Sequence, residues 1–172
     1  MKSRGSAAYF QEGHRYRDYF LDTDLKDVEG VGSLVFSPYQ RRHSYLLRRG
    51  LKAYRAALFF CQQAQKWNKA VAIESAMVEL HFWWIMRCMA DEGCGERCYQ
   101  RLARRWEGTL NGYQGRISLA QEIKGHLHLG LLWLYSQDKE KAYQIYQYAW
   151  DLGGGRGFGA NEKSKLKELK EN

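Results

Sequence analysis

Residues 54–80 read YRAALFFCQQAQKWNKAVAIESAMVEL, and this stretch carries the clearest helical pattern of the chain. Apolar residues recur every three or four positions on both sides of a polar break at 62–66, which is the spacing of two amphipathic helices. The break is too short to send the second helix anywhere except back along the first. The stretch therefore predicts a helical hairpin, whose exposed apolar side requires a packing neighbour.

A second copy of this pattern lies at 126–153, HLHLGLLWLYSQDKEKAYQIYQYAWDLG. Alignment of the two copies places Ala70 opposite Ala142, at the start of the second helix of each hairpin. A small residue there lets the two helix backbones approach closely. A weaker copy at 82–105 has Cys98 in the same position. The sequence predicts three stacked hairpins, of which the middle one is degenerate.

The order of these residues resembles a known repeat family. An aromatic residue, small residues at the helix contact, Lys-Ala and a closing glycine are typical of the pentatricopeptide repeat, and Trp133 and Tyr146 also fit the related tetratricopeptide repeat. The resemblance covers residues 50–155, and it departs from the pattern where Gln65 and Gln137 replace the usual turn glycine. It implies an all-α fold, an α-solenoid of about three helical hairpins.

The pattern divides the chain into three segments. Residues 1–36 show no sustained helical period, so we expect an extended N-terminal arm there. Residues 37–155 form the helical-repeat domain. Residues 156–172 are expected to be a flexible linker and a charged C-terminal helix capped by Asn161.

Two further boundaries are predicted inside the repeat domain. Ser37 and Pro38 have the residue types of a helix cap and a first helical position, so a helix is expected from there to Gly50, capping the first hairpin. Residues 108–121 are glycine-rich and are expected to connect the middle hairpin to the last one.

Charge and aromatic content indicate a binding surface. The formal net charge is +8, which favours an anionic partner, either a nucleic acid or an acidic protein face. Aromatic residues make up 15% of the chain, which fits either large contact surfaces or irregular packing between hairpins. No apolar run is long enough to predict a membrane span.

The candidate partner-binding residues are aromatic residues of the arm and arginines of two helices. Arginines that are solvated or held in scattered salt bridges are the alternative interpretation. The candidates are Tyr16, Tyr19, Phe20, Arg41, Arg42, Arg48, Arg49, Arg101, Arg104 and Arg105.

No catalytic, cofactor or metal site is predicted. The five histidines are dispersed, and no serine or cysteine has the surroundings of a nucleophile. The four cysteines are not spaced as a CxxC pair, so a zinc site is not expected. We expect them to be small buried residues with free thiols; they are Cys61, Cys88, Cys94 and Cys98.

RNA binding is the alternative to a structural role. Pentatricopeptide repeats that read RNA use one repeat for each base, through a small polar side chain of the first helix. The matching positions here are Ala56, Trp84 and His128, which are not the usual readers. Non-specific contact through arginines remains open.

A narrower resemblance is to helical-repeat proteins that do not bind RNA. The chain is similar to the supernumerary helical-repeat subunits on the catalytic head of the mitochondrial ATP synthase in euglenozoan protists, in size, in its three hairpins and in an aromatic arm at 16–42. This resemblance implies a non-catalytic accessory subunit in the mitochondrial matrix, bound to catalytic-head subunits. An organellar RNA-binding protein of the pentatricopeptide type is the second expectation.

Overall fold

The computed structural model describes residues 5–22, 38–88 and 95–171, which contain seven α-helices and no β-strand. The all-α prediction is therefore confirmed for these residues, and their arrangement is compatible with a helical-repeat fold. The helices are α1 (Ser6–Asp22), α2 (Pro38–Gln63), α3 (Trp67–Cys88), α4 (Gly95–Tyr113), α5 (Leu119–Tyr135), α6 (Lys139–Gly153) and α7 (Ala160–Glu171).

The hairpin predicted at 54–80 is formed by α2 and α3. Tyr54 of α2 and Ala70 of α3 have no exposed surface, which agrees with the close helix contact predicted at Ala70. Gln65 takes a left-handed conformation with φ 53°, where glycine is usual, and the Lys66 N–H donates to the Cys61 carbonyl at 2.8 Å. The turn thus closes in the geometry of a glycine turn, at the cost of backbone strain in Gln65.

The second predicted hairpin is formed by α5 and α6. Ala142 is fully buried at the start of α6, and Gln137 repeats the left-handed turn with φ 64°. The Asp138 carboxylate accepts the Lys141 N–H at 3.0 Å and caps α6. Gly130 allows the hairpin to close, because a Cβ there would lie 2.8 Å from the Tyr146 ring.

The N-terminal segment is where the sequence prediction was wrong. Ser6–Asp22 is a helix packed on α2, and not part of an extended arm. Gly13 lies at the contact, where a Cβ would be 2.4 Å from the Tyr54 ring, so only glycine fits without displacing that ring. This glycine interrupts the apolar period, which is why the helix was missed. The rest of the predicted arm, residues 1–4 and 23–36, lies outside the described residues.

Gly50 does not end the helix that begins at Pro38. α2 continues through it to Gln63, so the predicted cap and the first hairpin helix are one element. A Cβ at Gly50 would lie 2.8 Å from Leu80 and 3.1 Å from Tyr16. The glycine therefore serves the close packing of α2 against α1 and α3, and does not act as a helix stop.

The middle hairpin also differs from the prediction. α3 runs without a break to Cys88, so Phe82 does not begin a new helix, and α4 is a single helix between two hairpins. Most of the predicted connector at 108–121 is helical, because α4 continues to Tyr113 and α5 begins at Leu119. Gly108 and Gly112 are exposed inside α4, and the sequence pattern alone does not distinguish them from helix breakers.

The C-terminal region follows the prediction more closely. α6 ends at Gly153, and Gly154 has the left-handed φ of 57° that glycine tolerates. The predicted charged helix is α7, but it begins at Ala160, so Asn161 lies inside it and is not its cap. The segment between them is anchored, since Phe158 is buried against Trp150 with ring centroids 5.1 Å apart.

Aromatic residues dominate the core. The largest fully buried side chains include Tyr54, Trp106, Trp133 and Tyr146. The Trp106 indole donates to the Gly125 carbonyl at 2.9 Å and ties α4 to α5. Irregular helix packing therefore explains much of the aromatic content of the described residues, and among these only the exposed rings are available for a binding surface.

Candidate docking surface

The outer face of α2 carries a row of exposed cations and aromatic rings. Arg48, Lys52 and Arg55 are exposed, and Tyr45 and Phe59 each keep 58% of their surface accessible. The opposite face of α2, centred on Tyr54, packs against α1 and α3, so this row is left on the outer side. Among the carboxylates whose side chains are described, none forms a salt bridge with these three cations.

Two of the predicted candidates meet at the edge of this row. A hydrogen bond with Tyr16 of α1, together with the nearby Tyr45, raises the pKa of Arg49. The Arg49 guanidinium also lies 6.0 Å from the centroid of the Tyr45 ring. These contacts hold a permanently charged group in place at the surface.

An aromatic cluster closes the other end of the row. Tyr9 of α1 stacks on Phe60, with ring centroids 6.1 Å apart and an interplanar angle of 12°. Phe59 meets Phe60 edge-on at 5.8 Å. Since Phe60 remains 40% exposed beside Phe59, this corner of α1 and α2 presents a small apolar patch.

Basic residues of α2 and α4 approach each other across α3. His81 is largely buried, and its Nδ1–H donates to the Met77 carbonyl at 2.8 Å. Burial lowers the pKa of His81, and the charges of Arg105 and Arg55 lower it further. The charges of Arg55 of α2 and Arg105 of α4 thus both act on His81, and Arg105 lines the same crevice as His81.

This narrow crevice lies between α3 and α4. It is lined by Glu74, His81, Arg105 and Thr109, and it has room for about one water molecule. Burial raises the pKa of Glu74, and Arg105 partly offsets that effect. A shifted acid beside a shifted imidazole is a combination seen in catalytic sites, but this crevice offers no volume for an organic substrate.

The remaining arginines of the prediction lie on α4. Arg101 and Arg104 are exposed, on the side of the helix opposite the buried Leu102 and Trp106. They form a second basic face and do not continue the row on α2. The side chains of Tyr19, Phe20, Arg41 and Arg42 lie outside the described part of the chain.

The positions that would read RNA bases in the repeat family are occupied by packing residues. His128 is mostly buried between α5 and α3 and shares a hydrogen bond of 2.7 Å with the Ser75 hydroxyl. Trp84 is partly buried, with its indole nitrogen out of contact with solvent. Ala56 has no hydrogen-bonding side chain. This geometry does not favour readout of one base by each repeat.

The cysteines behave as small packing residues where they are described. Cys61 is buried in the main core, and Cys98 is partly buried at its edge; both are free thiols. In the described ranges, no group of three or more His, Cys, Asp or Glu side chains has the arrangement of a metal site.

Comparison of the chain with protein-family models, curated proteins and solved structures finds no match. The described helices also include none with both the length and the apolar character needed to cross a membrane.

Sequence reasoning missed Lys52, Arg55, Phe59 and Phe60. The sequence signal for this basic surface is a segment without acidic residues. Residues 30–73 contain eight lysines and arginines and no aspartate or glutamate. The rest of the chain holds nineteen basic and nineteen acidic residues, so this stretch accounts for the whole net charge of +8. A net charge becomes informative about a site only when it is located along the chain.

Proposed function

We propose that this protein is a non-catalytic docking subunit, a helical scaffold that binds a larger anionic partner through the outer face of α2. The observation that carries the proposal is the exposed row of cations and aromatic rings on a helix without acidic residues. Aromatic residues and arginine are enriched at protein interfaces, and a positive face attracts an acidic one.

The finer form of this proposal comes from the sequence resemblance. It is an α-solenoid of pentatricopeptide-like hairpins, acting as an accessory subunit on the catalytic head of a mitochondrial ATP synthase. The two hairpins α2–α3 and α5–α6, with their matching turns at Gln65 and Gln137, support the repeat interpretation. The basic face of α2 supports a stable contact with an acidic neighbour.

RNA binding through the same basic face is the second candidate. The observation that favours it is the concentration of arginines on α2 and α4, because guanidinium groups bind phosphates well. Because His128 and Trp84 are packed against other residues, this binding would involve the RNA phosphate backbone and not the RNA bases. Such binding would be weak in sequence preference and strongly reduced by salt.

Native electrophoresis of the protein purified from its source, followed by mass spectrometry of the proteins in the same band, tests the main proposal. We expect migration with a much larger assembly that survives nuclease treatment. Migration as a free chain of 20.2 kDa would reject a docking role. Loss of the large species after nuclease treatment would favour the RNA candidate.

A further inference from the structure

The exposed residues of α2 follow a heptad pattern. Tyr45, Arg48, Lys52, Arg55 and Phe59 are separated by three, four, three and four positions, and all five are exposed. This spacing places side chains along one line of a helix, as at the contact positions of a coiled coil. At a rise of 1.5 Å for each residue, the row is about 21 Å long. Its length is that of a contact between two helices of about four turns.

The chemistry of the row changes along its length. The three central positions are cationic, and the two ends are the aromatic rings of Tyr45 and Phe59. Phe60 and Tyr9 widen the apolar end beside Phe59. A partner that complements this order has acidic side chains in the middle of its contact face and apolar side chains at both ends.

We infer that α2 binds an amphipathic acidic helix of a partner protein, laid along the row from Tyr45 to Phe59. This inference rests on the proposed docking function and specifies the partner's chemistry. The central cations pair with carboxylates spaced three and four residues apart on the partner helix, and the terminal rings cover its apolar side chains. The row of three cations sets the register of the two helices.

The geometry favours a protein helix over a nucleic acid. Single-stranded nucleic acids bind in positively charged grooves and stack their bases on free ring faces. The row lies on the convex outer side of one helix, and the Phe60 ring is already stacked on one face by Tyr9. A convex line of side chains at heptad spacing matches the surface of another helix.

Fluorescence anisotropy with the full-length chain tests the inference. The probe is a labelled synthetic helix of about three heptads, with glutamates at the central contact positions and leucines at the ends. We expect saturable binding, and a loss of at least about ten-fold in affinity for the triple variant Arg48→Glu, Lys52→Glu, Arg55→Glu, because three attractive pairs become repulsive. Phe59→Ala should weaken binding without changing its salt dependence.

A charge-matched control lies on α4. The triple variant Arg97→Glu, Arg101→Glu, Arg104→Glu makes the same change in net charge at another exposed face and should bind the probe helix within about two-fold of the wild type. Circular dichroism checks that all variants keep their helix content.

Three outcomes would overturn the inference. They are no binding of the probe helix, equal loss in the α2 and α4 variants, and tighter binding of a single-stranded RNA of similar length that displaces the probe. If any of these occurs while the wild-type protein still migrates in a nuclease-resistant assembly, the docking function stands and only the proposed contact fails. Migration of the wild type as a free monomer would remove the docking function itself.

Discussion

Replacement of Gly13 by alanine is expected to lower the free energy of unfolding, although alanine is the better helix former. The new Cβ would lie 2.4 Å from Cε1 of Tyr54, whose ring is fully buried and whose hydroxyl is hydrogen-bonded to His14 at 3.1 Å. An extra methyl group in so tight a contact costs about 1–3 kcal/mol. The gain in helix propensity is about 0.5–1 kcal/mol. The midpoints of these two ranges give a net loss of about 1 kcal/mol.

The matched control is Gly108→Ala in α4. This glycine is exposed within a helix, and a Cβ there would meet no atom within 4 Å. Only the propensity gain applies, so this variant should be stabilised by about 0.5–1 kcal/mol. Urea unfolding followed by circular dichroism measures both changes, with opposite signs expected for the same chemical substitution.

Hydrogen exchange distinguishes local from global effects in the Gly13 variant. If the added methyl group displaces α1 alone, amide exchange should rise in Ser6–Asp22 and remain low in α5 and α6. Stabilisation of Gly13→Ala to the same extent as Gly108→Ala, with α1 exchange unchanged, would refute the packing of α1 against Tyr54.

Three further predictions concern the core, pH and a turn. Trp106→Phe should lower the free energy of unfolding by about 1–3 kcal/mol, measured in urea, because the Gly125 carbonyl loses its indole donor and a cavity forms. Burial lowers the pKa of both His128 and His81 below the usual 6.5, so the unfolded chain binds their protons more tightly. Stability should therefore be full above pH 6.5 and fall as the pH drops below it, with a smaller slope in His128→Gln. Gln137→Gly should raise the thermal midpoint, with a gain of about 0.5–1 kcal/mol, because glycine relieves the strain of a left-handed φ.

The sequence predicts the hairpins well because their signals are local. Apolar spacing and the small residues Ala70 and Ala142 fix which helix faces meet, and both residues are fully buried. The turns at Gln65 and Gln137 could be located without glycine, since the length of the polar break alone forces the chain to reverse. Local pattern was sufficient for the two hairpins α2–α3 and α5–α6.

Several of the errors in the fold share one physical cause, which is glycine inside helices. Gly13 and Gly50 are buried where helices approach closely, and Gly108 is exposed in the middle of α4. A sequence pattern cannot distinguish a glycine that ends a helix from one that allows a neighbour to approach, because the distinction depends on a distant residue such as Tyr54 or Leu80.

The candidate site was predicted in part for a similar reason. Arg48 and Arg49 were predicted from charge alone, and Arg49 contacts Tyr16, another predicted residue. Lys52 and Phe59 were missed because the helix was expected to end at Gly50, which hid the continuous outer face. The heptad spacing of the row can be recognised only when α2 is known to continue through Gly50.

Native electrophoresis of the triple α2 variant beside the triple α4 variant, both expressed in the source cell, tests whether the outer face of α2 is the docking surface. We expect the wild type and the α4 variant to migrate in the same large assembly, and the variant carrying Arg48→Glu, Lys52→Glu and Arg55→Glu to migrate as a free chain. Retention of that α2 variant in the large assembly would contradict the claim that this face of α2 is the docking surface.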